Sequence, residues 1–139
     1  MVDLNASRIM VAGHDARLDA EELQDMGESA ARGATEFLRE IDRHARTAKA
    51  AIDARQDESG DAAFYHQHHR EQCGSEVAGE TVEEMLGRLV PVAVWFAPDD
   101  EERDWNASID YSLGEDVTDY LLSVRMDPRG GIVDVAMES

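Results

Sequence analysis

Residues 89–97 read LVPVAVWFA. An uninterrupted apolar run of this kind marks a strand covered on both faces. Pro91 stands near its start, where the loss of one backbone donor is tolerated. The stretch is also the point where the hydrophobic period changes. Upstream, apolar residues recur every three or four positions. Downstream, they alternate.

In WNASIDYSL (105–113) the inward set is Trp105, Ala107, Ile109, Tyr111 and Leu113. Asn106, Ser108, Asp110 and Ser112 face outward, as a two-residue period requires. DYLLSVRM (119–126) places Tyr120, Leu122, Val124 and Met126 on one face. Asp127-Pro128-Arg129-Gly130-Gly131 reads as a tight turn, with proline early and glycine where φ becomes positive. IVDVAMES (132–139) returns with Val133, Val135 and Met137 inward. Four antiparallel strands in a meander are expected.

Upstream, Asp19 reads as a helix N-cap with Glu22 in capping-box position. A stripe of Leu23, Met26, Ala30, Ala34, Phe37, Ile41, Ala45, Ala48 and Ile52 follows, in steps of three or four. That spacing predicts one long amphipathic helix. Glu36, Arg39, Glu40, Arg43, Arg46 and Lys49 occupy its opposite face. Gly27 and Gly33 each cost about 1 kcal/mol in a helix interior, so a kink is expected near them. Residues 53–62 end the helix, and a short helix is expected over 62–72. Thr81 and Glu84 form a second capping box, opening a helix with Val82, Met85, Leu86 and Leu89 inside. Before all of this, residues 2–12 read as one or two short strands, and Gly13-His14-Asp15 as a turn. The expected fold is α+β in a single domain, 1–139. A helical half, about 19–88, packs on an antiparallel sheet, about 89–139.

The chain has 139 residues and a formal charge of −18. That charge argues against binding a phosphate backbone and favours basic partners. No apolar run approaches the length of a bilayer, and the N-terminus does not read as a secretory signal. Cys73 is the lone cysteine, so no intrachain disulfide forms and a reducing cytoplasm is the natural compartment. The cations are twelve Arg and one Lys, and alanine is abundant, which suggests a GC-rich bacterial genome.

The C-terminal third reads DYSLGEDVTDYLLSVRMDPRGGIVDVAMES. It resembles a family of small bacterial proteins catalogued as domain of unknown function two thousand and four. The likeness lies in three places. One is the ending, with Asp110-Tyr111, Thr118-Asp119-Tyr120, a hairpin and a terminal Met-Glu-Ser. The second is the His-rich segment around 66–69. The third is the long helix with its Ala45-Arg46 pair. The resemblance implies an α+β domain with no established activity and no active site to carry over. Some related small bacterial families are proposed to be immunity proteins against secreted toxins, which implies an immunity-like role.

The stretch FYHQHHREQC (64–73) carries the sharpest chemical signal. On a helix, His66, His69 and Cys73 fall on one face, and imidazole with thiolate suits Zn²⁺. A fourth ligand has to be distant, such as His14, His44 or a carboxylate. The plainer reading is a polar helix face, and clustered histidines can also form a pH switch. Cys73 with His69 as its base lacks a visible oxyanion hole, so a small buried thiol is favoured over a nucleophile. Asp110, Tyr111, Asp119 and Tyr120 form two Asp-Tyr pairs that would line a polar pocket at the sheet end. The plainer reading is two core tyrosines and two edge carboxylates. Residues 99–102 lack calcium-loop spacing, and no phosphate loop, dinucleotide fingerprint or nucleophile elbow is present.

Two functions are expected from these observations. The first is a non-catalytic, acidic, immunity-like module that binds a basic protein, with no nucleic acid, membrane or cofactor. The second is a metal-binding protein or metal-dependent enzyme that uses His66, His69 and Cys73. A homodimer through a sheet edge or helix follows from base rates alone.

Overall fold

The computed structural model describes residues 3–54, 65, 67, 81–98, 105–113 and 121–138. Among these, six strands form one sheet: β1 Arg8–Val11, β2 His14–Asp19, β3 Val90–Pro98, β4 Trp105–Ser112, β5 Leu121–Met126 and β6 Ile132–Glu138. They lie side by side in sequence order. A 3₁₀ turn (Glu21–Met26), α1 (Glu28–Arg39), α2 (Ile41–Asp53) and α3 (Val82–Leu86) come between β2 and β3. None of the described helices is long and apolar enough to cross a membrane.

The fold is α+β, but the expected four-stranded antiparallel meander is too small. Two N-terminal strands extend it, and the sheet is mixed. β2 pairs with β3 in parallel, because the chain returns through the helical segment before re-entering the sheet. All other neighbours are antiparallel. The first hairpin also differs from expectation. Its turn is Ala12-Gly13, both at positive φ (49° and 85°), and His14 and Asp15 already belong to β2. Positive φ at both loop residues lets a two-residue hairpin follow the strand twist. Ala16 and Leu18 of β2 are buried while Asp15, Arg17 and Asp19 are exposed, a short alternation obscured by its charge.

The expected long helix is two helices. The break is at Glu40 (φ −106°, ψ 21°), not at either glycine. Gly27, at φ 92°, lies outside and in front of α1, and Gly33 continues within it. Asp19 is the last residue of β2, and its Oδ1 accepts a hydrogen bond from the Glu21 N–H at 3.1 Å, opening the 3₁₀ turn. The apolar stripe itself is as read: apart from half-buried Met26, every member from Leu23 to Ile52 is buried. Leu38 and His44 are buried beside it. The stripe steps from Phe37 to Ile41 across the break without a change of phase. Nothing in the local sequence explains why the break falls at Glu40.

The core lies between α1, α2 and one face of the sheet. Phe37, Phe96 and Trp105 meet edge to face, with centroids 5.2–5.9 Å apart, and the His44 ring stacks on Phe37 at 4.0 Å. Trp105 brings β4 close to α1. A Cβ added at Gly33 would lie 3.3 Å from the Trp105 ring, so glycine gives the indole room. The buried Tyr111 hydroxyl donates to the Ala45 carbonyl at 2.6 Å and ties β4 to α2. The Thr81–Glu84 capping box forms as read, and Met85, Leu86 and Leu89 are buried.

Two details of the sheet depart from the alternation. A bulge follows Pro91 in β3, leaving Val92 without a partner in β4. Between β5 and β6 the register shifts so that Ile132 faces Met126 and Val133, expected inward, is 48% exposed. The apolar run of β3 predicts cover on both faces. Val94 and Phe96 are covered by the helical layer, whereas Trp95 and Ala97 on the other face are half-buried.

Candidate functional site

The register places a polar cluster on the sheet face away from α1 and α2. Ala93, Asp110, Ser123 and Ala136 form one row across β3–β6. Trp95, Ser108, Arg125 and Asp134 form the next. Arg17 of β2 lies opposite Ala93 and extends the first row. The centre of this face is buried and polar: Ser108, Asp110, Ser112 and Ser123 are all under 9% exposed. Arg17, Arg125, Asp134 and Glu138 around it are exposed.

Asp110 is the focus of the cluster. The Trp95 indole reaches diagonally from β3, and its Nε1–H donates to Oδ2 at 3.2 Å. Oδ1 is buried and has no hydrogen-bond partner among the described residues. Burial pushes the carboxyl pKa up. The Ser123 hydroxyl, the Trp95 indole and the Arg17 charge pull it down, and Glu138 adds to the rise. Burial wins, so the site favours the protonated acid more than water does.

This arrangement makes a stability prediction with a definite sign. The folded chain holds the Asp110 proton at pH values where the unfolded chain has released it. Stability from this group is therefore present below the ordinary aspartate pKa, about 3.9, and is lost as pH rises through the raised folded value. Asp110→Asn does not titrate and keeps an acceptor for the indole. It is expected to match the wild type in acid and to exceed it at neutral pH, where the wild type must bury a charge that asparagine lacks. Urea melts of both proteins across pH check this; an Asn variant less stable at neutral pH contradicts it.

The four residues expected to line a polar pocket are not gathered in one place. Tyr111 faces the helices, where burial pushes its phenol far up and Asp53 adds to the rise. Asp110 faces the other way, so these neighbours serve opposite faces. Asp119 and Tyr120 lie outside the described residues, as do His66, His69 and Cys73. Tyr65 and Gln67 from the same segment are helical. Tyr65 is buried, and its hydroxyl accepts from the Leu113 N–H at 3.2 Å. Burial raises its pKa, and the bonds from Leu113 and Ser112 oppose that. Among the described residues no three His, Cys, Asp or Glu side chains form a metal-ligand group. His14 is exposed at the start of β2. His44 is buried in the aromatic core, where burial first and Arg43 second lower its pKa against the pull of Glu40.

Sequence reasoning missed Trp95 as a member of the site. Its place within an apolar run hid the fact that alternate residues of that run face a polar surface. The outward set Asn106, Ser108, Asp110 and Ser112 was the available signal. A face patterned that way in β4 requires its β3 neighbours to be Ala93, Trp95 and Ala97.

No protein-family model, curated protein or solved structure matches this chain. The likeness to the bacterial family of unknown function rests on the sequence motifs alone.

Proposed function

We propose that this chain is a non-catalytic, acidic binding module for a basic protein, of the kind an immunity-like role requires. The observation that carries the reading is the second sheet face, where half-buried Trp95 sits beside Asp110 within a ring of exposed charges. Tryptophan is among the residues that most often dominate binding at protein interfaces. A formal charge of −18 supplies long-range attraction for a cationic partner and raises its rate of encounter. Protein interfaces commonly place aromatic residues at the centre and polar groups at the rim.

The test is titration with an arginine-rich peptide, followed by tryptophan fluorescence at low and high salt, beside a glutamate-rich peptide of equal length. The expected result is saturable association with the basic peptide alone, weakening steeply as salt screens the charges. Association absent at low salt, or indifferent to salt, contradicts the reading.

A further inference from the structure

We propose that the outer edge of β1 takes up an extended segment of the protein partner as an added strand, with an apolar side chain of that segment in the cavity beside Ile9. This deepens the binding-module reading and rests on it.

The backbone of β1 sets the edge. Among the described residues β1 has one strand neighbour, β2. The Leu18 N–H donates to the Ser7 carbonyl at 2.9 Å. The pairs that exchange hydrogen bonds are therefore Ser7 with Leu18, Ile9 with Ala16 and Val11 with His14. Met10, opposite Asp15, belongs to the other kind of pair, and its N–H and C=O point away from β2. The next residue of that parity shows the direction: the Ala12 N–H reaches the Asp42 carboxylate of α2 at 2.7 Å. The Met10 backbone has no such partner among the described residues, and the residue is 58% exposed. An edge of this kind is a template for another strand.

A cavity of about 370 Å³ opens along this edge, between β1 and the ends of α1 and α2. Ile9, Leu18, Leu38 and Ile41 give it apolar walls, and Asp3 and Met10 also line it. Side chains alternate along a strand. In a segment laid against β1, the residue beside Met10 points to the outer face of the sheet. Its neighbours point to the helical face, where Leu38 and Ile41 lie. Strand addition draws affinity from main-chain bonds and specificity from pockets for alternate side chains, and this edge offers both.

The charges select the rest of the segment. Asp3 lines the cavity, and Asp42 stands beyond Met10 at Ala12; both are exposed. Arg8 pairs with Asp15, Arg39 with Glu36 and Arg43 with Glu40, so these cations have acidic partners of their own. A segment with arginine or lysine two residues to either side of its apolar residue carries those cations on the same face, toward Asp3 and Asp42. A second copy of this chain is the poorer occupant, because each copy carries −18 and the two repel.

The Met10 amide is the reporter. Its NMR shift and hydrogen exchange are followed while acetyl-Arg-Thr-Leu-Thr-Arg-amide is added, beside versions with serine for leucine and citrulline for both arginines. The leucine peptide should shift the Met10 amide saturably and slow its exchange, while the Ile9 amide, bonded within the sheet, changes little. The serine and citrulline versions should each bind about tenfold more weakly or worse. Met10→Pro removes the outward N–H without touching a bond to β2, and should weaken the leucine peptide about tenfold or more. Met10→Ala keeps the amide and should retain the slowed exchange. A Met10 amide untouched by the leucine peptide, or equal binding of the serine version, overturns the edge site. A chain that sediments as a dimer with its Met10 amide protected before any peptide is added assigns the edge to a second copy and overturns it too. If the basic peptides bind regardless of leucine and of Met10→Pro, the edge site falls and the acidic-module reading stands. If no basic peptide binds, both fall.

Discussion

Trp105→Ala is expected to cost about 3–5 kcal/mol, the range for removing a large buried aromatic side chain. Trp105 is 2% exposed and meets Phe37 and Phe96 edge to face. Its indole also fills the space that Gly33 leaves on α1. Alanine here empties the middle of the helix–sheet interface. A domain of this size has about 5–15 kcal/mol of stability in all, so the midpoint of thermal unfolding should fall by roughly 10–20 °C. Trp95→Ala is the internal control, because Trp95 is half-buried on the opposite face. Chemical denaturation of both variants checks the pair. Equal losses would contradict the assignment of Trp105 to the core and Trp95 to the surface.

Gly130→Ala should cost about 2–4 kcal/mol, for two separable reasons. Gly130 has φ +87°, a conformation that costs an alanine about 1 kcal/mol. The rest is collision: an added Cβ would lie 2.5 Å from both Cε1 and Nδ1 of His44. The imidazole is 4% exposed and stacked on Phe37, so it cannot swing aside without disturbing the aromatic core. Overpacking of this kind typically costs about 1–3 kcal/mol. In a His44→Ala background the collision disappears and only the backbone cost remains. A double-mutant cycle in urea should therefore show a coupling of more than 1 kcal/mol, about the collision energy. Simple additivity would contradict the contact between the β5–β6 turn and α2.

These two positions also show how the sequence was legible and where it was not. The stripe from Leu23 to Ile52 identified the buried helix face because burial repeats at the helical period. That same regularity hid the break at Glu40, since the stripe keeps its phase through it. Alternation in β4 separated Trp105 and Tyr111 from Ser108 and Asp110, one residue at a time. The register between strands was not legible, because it depends on turn geometry and bulges. Nothing local predicts that the β5–β6 register slips to leave Val133 outside, or that Asp110 comes to lie beside Ser123 and within reach of Trp95. β2 was missed for a related reason. Its six residues, HDARLD, carry too much charge to read as a strand, and only the parallel pairing with β3 gives Ala16 and Leu18 a core to face.

The candidate site follows from that hidden register. Asp110 and Trp95 are fifteen residues apart and share no motif. They meet because Ala93 pairs with Asp110 and Trp95 with Ser108. A sheet face with a buried acid at its centre and charges around it is a costly arrangement for stability alone. The Asn variant is expected to gain stability at neutral pH for that reason.

The measurement that tests this most directly is an NMR titration of the Asp110 side-chain carboxyl in the folded protein. The carboxyl is expected to ionise above the ordinary aspartate value of about 3.9, with the Trp95 indole N–H shifting over the same pH range. A carboxyl that ionises at or below that value, with an indole signal indifferent to it, would mean that Asp110 is solvated or already paired, and would contradict the buried acid at the centre of this sheet face.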